Sequence, residues 1–181
     1  MKRWVVRAAL ISWALATVVL AGGTMVAHEL PLPLGVSKTD QPGAWRMTHV
    51  LSAKCGCSKR VAEALMRRGA SGDVEETVAL VDDQDGLGAR LRTSGFTVTE
   101  AKTPGLRETY GVESVPMLII HRPDGSVGYQ GAYAPRRTMA PEDQSLLAAV
   151  RKGEAPEPYP LFGCAVSREL KREMDPLKLD R

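Results

Sequence analysis

The chain has 181 residues, enough for one ordinary domain with appendages. Apolar residues make up 44% and charged residues 25%, which excludes wholesale disorder; with aromatics at 5%, the core must be built mostly from aliphatic side chains. The net charge of +3 resides in Lys2, Arg3 and Arg7, ahead of the first acidic residue Glu29, so the remainder is balanced and nothing in it points to nucleic acid.

Residues 8–27, AALISWALATVVLAGGTMVA, carry no charge. As a helix this run would be about 30 Å long, the thickness of a bilayer's hydrocarbon core. The basic residues in front of it keep the N-terminus in the cytoplasm and export the chain beyond the run. Residues 1–27 are therefore expected to be a membrane anchor or a signal segment, the latter cut after AGG (21–23) or after Ala27. Either way the rest works outside the cytoplasm, where disulfides form and persist. Residues 28–44 carry Pro and Gly without a period and read as a linker.

The domain is expected over residues 45–152. WRMTHVLSA (45–53) predicts a buried strand with Trp45, Met47, His49 and Leu51 on one face. SKRVAEALMRRG predicts a helix with Val61, Ala62, Leu65 and Met66 inward and Gly69 as its cap. VEETVALV (74–81) is the next strand, LGARLRTSG a short helix, and FTVTEA (96–101) a weakly alternating strand. Thr103-Pro104 opens another helix. VPMLIIHR (115–122) is a dense apolar run fit for a central strand, and PDGS (123–126) turns it into its hairpin partner VGYQGAY. APEDQSLLAAVRKGE supplies a last helix. Helices alternate with strands before a hairpin closes one edge, which is an α/β domain with one mixed sheet flanked by helices. Residues 153–181 form a tail in which a proline-rich lead delivers Cys164, and SRELKREM is a charged helix candidate.

Cys55 and Cys57 flank Gly56 where the first buried strand meets its helix. A helix N-terminus supplies partial positive charge and free N–H donors, which favour a thiolate. Lys54, Lys59 and Arg60 either add to that field or form a solvated basic face. A disulfide between residues i and i+2 closes a small, strained ring, and Gly56 supplies backbone freedom for it. The residues alone leave three readings open: a redox pair, metal ligands, or an inert pair. Cys164 is the odd cysteine, either reactive or paired elsewhere.

The cysteine pair, the YGVESVP stretch roughly 60 residues later and the PDG turn together resemble the thioredoxin-like superfamily. That resemblance covers about residues 45–152 and implies that Val115-Pro116 is a cis bond facing the cysteines. It also implies that the Val115 backbone, beside Gly56, pairs with a substrate's extended chain. The chain departs from the family in having C-x-C for C-x-x-C, Lys54 in place of a tryptophan, and His49 where a buried acid is usual. His49 is thus either a proton exchanger for the thiols or a core histidine. The FGC tail resembles, more weakly, RedB-like membrane-anchored bacterial proteins, and Cys164 is expected near Cys55 and Cys57 as a resolving thiol or third ligand.

The leading expectation is an extracytoplasmic thiol–disulfide oxidoreductase. It would be single-pass in a bacterial inner membrane, with its domain on the periplasmic side and protein thiols or disulfides as partners. It needs no cofactor beyond its own redox disulfide. Cys55 would attack and Cys57 resolve, with Pro116 shaping the groove. The alternative is a copper-binding or copper-delivery protein similar to the Sco group, using Cys55, Cys57 and Cys164 or a histidine, His49 or His121, since soft thiolates favour Cu(I). A third is a non-catalytic thioredoxin-like binding module with idle cysteines.

Overall fold

The structure, a computed structural model, describes residues 2–26, 29–30, 43–83, 85–136 and 140–174. Helix α1 (Lys2–Val26) leads the chain, and Trp4, Leu10, Ile11, Trp13 and Leu15 are among its exposed apolar side chains. The membrane-spanning helix expected at 8–27 is met in its helical conformation only: among the described residues, no helix is long and apolar enough to cross a membrane. Most of the expected linker at 28–44 lies outside the described residues. Within it, β1 (Glu29–Leu30) pairs antiparallel with β8 (Leu161–Phe162) of the tail.

The central sheet has the order β4-β3-β2-β6-β7, formed by β2 (Arg46–Ser52), β3 (Glu75–Val81), β4 (Thr97–Glu100), β6 (Met117–His121) and β7 (Val127–Gly131). β2, β3 and β4 run parallel; β6 is antiparallel to β2, and β7 to β6. The parallel pairs need crossovers, which α2 (Gly56–Arg68) and α3 (Leu87–Thr93) supply. A mixed sheet flanked by helices in this arrangement is a thioredoxin-like α/β fold.

Side chains alternate across the sheet, so each strand feeds two cores. On one face Met47, Leu51, Val78, Leu80, Leu118 and Ile120 meet Val61, Ala62 and Leu65 of α2 and Leu146, Leu147 and Val150 of α5 (Asp143–Arg151). On the other face Val50, Ala79, Met117 and Ile119 meet Leu106 of α4 (Thr103–Tyr110). There they also meet Leu161, Val166 and Leu170, the last from α6 (Arg168–Met174).

The structure differs from the sequence expectation at two places that matter. The apolar run 115–122 is split into β5 (Ser114–Val115) and β6, because Pro116 between them has no N–H to give a ladder. Of the segment 153–181, expected as an appended tail, the described residues 153–174 contribute Leu161, Val166 and Leu170 to the second core. Leu161 is fully buried, Ala132 N–H donates to Tyr159 O at 3.2 Å, and β9 (Cys164–Ala165) pairs antiparallel with β5.

Candidate active site

Cys55 follows β2 after the turn residues Ala53 and Lys54 and sits in the extended conformation (φ −96°, ψ 120°) as the N-cap residue of α2. Lys59 N–H donates to its carbonyl at 2.9 Å, the first bond of the helix. Cys55 thus sits at the positive end of the helix, where the first-turn N–H groups have no intrahelical partner. It is 1% exposed and faces the Val115 carbonyl at 3.9 Å. The Val115-Pro116 peptide bond is cis.

The Cys55 thiol is lowered from 9.0 to about 5. The largest contribution is a hydrogen bond from the Cys164 thiol; burial opposes it, and donors on Ser58 and the Cys57 N–H add to the lowering. Ser58 is fully buried, and its hydroxyl has no geometric hydrogen-bond partner among the described residues. The thiol of Cys164, an exposed residue, is pushed the other way, upward, first because its proton is held by the Cys55 sulfur. The two shifts run in opposite directions, favouring the charge on Cys55 and the proton on Cys164.

Cys57 lies in the first turn of α2, half-buried, with Arg60 Nη2 donating to its sulfur at 3.5 Å. All three cysteines are free. A cleft of about 600 Å³ opens beside Cys57 and Pro116 and is also lined by Arg68, Tyr133, Asp143 and Phe162. Lys54 and Lys59 pair with Asp82 (3.7 Å) and Asp85 (3.0 Å), so of the three nearby cations only Arg60 reaches a sulfur among the described residues.

The other sequence candidates fall differently. Gly56 is the first residue of α2, without a positive φ, and a Cβ added there would meet nothing within 4 Å. With the cysteines free, Gly56 takes ordinary helical angles. His49 is fully buried, on the α2 face of β2. Its Nε2 meets Glu76 Oε2 at 3.1 Å and its Nδ1 meets the Tyr133 hydroxyl at 2.9 Å, so its ring nitrogens serve those two groups rather than a thiol. His121 is at the opposite end of β6 from Pro116, opposite Arg46 in the sheet, and burial with the Arg46 charge keeps its pKa low. Among the described residues, no group of three His, Cys, Asp or Glu is arranged to hold a metal ion.

Two features escaped the sequence reading. The first is a buried ionic cluster. Arg68 Nη2 lies 2.6 Å from both Glu76 Oε2 and Asp143 Oδ2, and the guanidinium stacks over Phe96 at 5.4 Å. Burial alone would raise Glu76, but hydrogen bonds from His49, Arg68 and the Ser71 N–H outweigh it and hold the carboxyl at about 2. Its signal was present: Glu76 shares a face with Val78 and Leu80, so an inward carboxylate needed an inward cation. The second is Gly163, where an added Cβ would overlap the Val115 carbonyl oxygen and lie 2.9 Å from Pro116 Cδ. Only a residue without a side chain lets β9 lie this close to the cis bond.

No protein-family model and no curated protein matches the chain. Among solved structures it is similar to an uncharacterized conserved protein from Geobacillus kaustophilus, with 16% identity, 76% of this chain and 92% of that one covered, and a TM-score of 0.56. It is also similar to the hypothetical protein SMc02350 from Sinorhizobium meliloti 1021, with 16% identity, 76% and 94% covered, and a TM-score of 0.54. A secreted disulfide oxidoreductase from Mycobacterium tuberculosis matches more loosely, at 13% identity, 62% and 84% covered, and a TM-score of 0.44. At these identities the likeness to the first two speaks to the fold alone.

Proposed function

We propose that the protein is a thiol–disulfide oxidoreductase that uses Cys55 as its nucleophile. The observation that carries this reading is the Cys55 sulfur at the head of α2, beside the Val115 carbonyl, with a pKa lowered to about 5 by the Cys164 thiol and first-turn donors. A thiolate is the attacking species in exchange, so this sulfur is ionised at neutral pH while Cys164 keeps its proton. Val115, opened by the proline after it, supplies the edge on which a peptide carrying a disulfide would pair, and Pro116 borders the cleft. The copper alternative has less geometric support: Cys57 is turned to Arg60 and His121 lies at the far end of β6.

The domain is proposed to work on the outer side of a bacterial inner membrane, held by the N-terminal segment. Support comes from the uncharged run at 8–27 behind three basic residues, and from the apolar side chains that α1 leaves exposed. Extraction of cell membranes with alkaline carbonate checks the tether: the chain should stay in the pellet, and release to the supernatant contradicts it. Exchange is tested by reduction of a disulfide-linked peptide at neutral pH. Wild type should reduce it and Cys55→Ser should not; equal rates in both would overturn the assignment.

A further inference from the structure

We infer that the C-terminal strand β9 is an internal surrogate for the substrate peptide, and that Cys164, rather than Cys57, is the thiol that resolves the mixed disulfide on Cys55. The inference rests on the exchange reading above and goes beyond it in naming the resolving thiol and a gate.

Three relationships carry it. Cys164 stands opposite Val115 in an antiparallel pair, so the tail occupies the backbone edge that an incoming peptide would need. The tail is seated closely, because Gly163 lies against the Val115 carbonyl and Pro116 Cδ, and Leu161 is fully buried. Its cysteine stands across from Val115, whose carbonyl lies 3.9 Å from the Cys55 sulfur, so it occupies the place where a substrate sulfur would have to arrive. With the tail in place Cys55 is only 1% exposed, so a peptide reaches it when the tail lifts.

Cys57 is poorly placed for the same task. It lies two residues past the N-cap, and positions two apart do not face each other on a helix. Closing a bond to Cys55 would require opening the first turn, including the Lys59 N–H to Cys55 O bond.

The steps balance. With the tail lifted, the Cys55 thiolate attacks one sulfur of a substrate disulfide; the new S–S bond forms, the old one breaks, and the leaving thiolate takes a proton from solvent. The tail then returns. Cys164 gives its proton to the departing substrate sulfur and bonds to Cys55. The substrate disulfide has gained two electrons, and the Cys55/Cys164 pair has lost two. An external dithiol returns the pair to thiols. Return of the tail thus resolves the intermediate and clears the edge in one motion.

The test uses the full chain. Oxidised with a stoichiometric disulfide reagent and digested without reduction, it should yield a peptide joining Cys55 to Cys164. A Cys55–Cys57 bond, or three free thiols, overturns the inference. In turnover with a disulfide peptide, Cys164→Ser should accumulate the mixed disulfide on Cys55; accumulation in Cys57→Ser instead overturns it as well. Gly163→Ala should unseat the tail without touching either sulfur and raise alkylation of Cys55 about tenfold, as overpacking of a close backbone contact would; an unchanged rate contradicts the gate. If the Cys55–Cys164 bond forms but wild type reduces no disulfide, the pairing stands and the proposed function falls.

Discussion

Cys164 lies opposite Val115 across the β5–β9 pair, and Val115 in turn presents its carbonyl to the Cys55 sulfur at 3.9 Å. One short stretch of backbone therefore joins the sheet edge, the cis bond and the tail at a single thiolate. The chemistry of that thiolate depends on a residue far along the chain.

The Cys164 thiol makes the largest contribution to lowering Cys55. Replacing it by alanine removes the donor, so in Cys164→Ala the Cys55 midpoint should climb from about 5 back toward 9.0. Thiolate absorbance during a pH titration of the reduced variant reads this, and a midpoint that stays put would show that the helix terminus alone sets the value.

Gly56 starts α2 in an open position, and alanine is the better helix former by about 0.8–1.0 kcal/mol in helix interiors. Gly56→Ala should leave disulfide reduction within about twofold and stability unchanged or slightly raised. Strong loss of activity would mean that exchange passes through a Cys55–Cys57 bond needing the glycine.

Glu76 is 1% exposed and tied to Arg68 and His49. Glu76→Gln removes one of the two carboxylates on Arg68 and should cost about 3 kcal/mol, the low end for a broken buried pair because Arg68 is partly solvated and keeps Asp143. For the native residue the folded pKa of about 2 lies below the ordinary 4.5, so its stabilisation is complete above about pH 4.5 and is lost as pH falls toward 2. Denaturant unfolding across that acid range should show a slope that the variant lacks.

Leu161 is fully buried in the core shared by β5, β6 and the tail. Leu161→Ala should destabilise by about 2–4 kcal/mol and free the tail before the sheet melts. Hydrogen exchange should then show 159–166 opening ahead of β2 and β3; simultaneous opening would mean the tail is no separate unit.

Most of the central fold was legible because its signals are local. Apolar runs such as VPMLIIHR and the inward set Val61, Ala62 and Leu65 announce their own elements, and PDGS announces the hairpin. The junction of β2 and α2 was visible for the same reason, which placed Cys55 at a helix terminus from local pattern alone. What was not legible is what depends on distant pairing. Leu161, Val166 and Leu170 are scattered among prolines and charges without a period, so nothing local tells that they close the second core. Two-residue strands such as β5 and β9 leave no pattern at all. Only the odd cysteine drew attention to residue 164. His49 left two readings open in the sequence, and its parity with Met47 and Leu51 sends it to the α2 face of the sheet, where Glu76 and Tyr133 take its ring nitrogens.

The central claim is that Cys55 is a thiolate at neutral pH, held so by the α2 terminus and the Cys164 thiol. Thiolate absorbance of the reduced Cys57→Ser chain, titrated from acid to base, measures it with only two thiols present. The account predicts one thiolate appearing with a midpoint near pH 5 and none from the second sulfur through neutral pH. Two thiols both ionising near the ordinary 9.0 would contradict it.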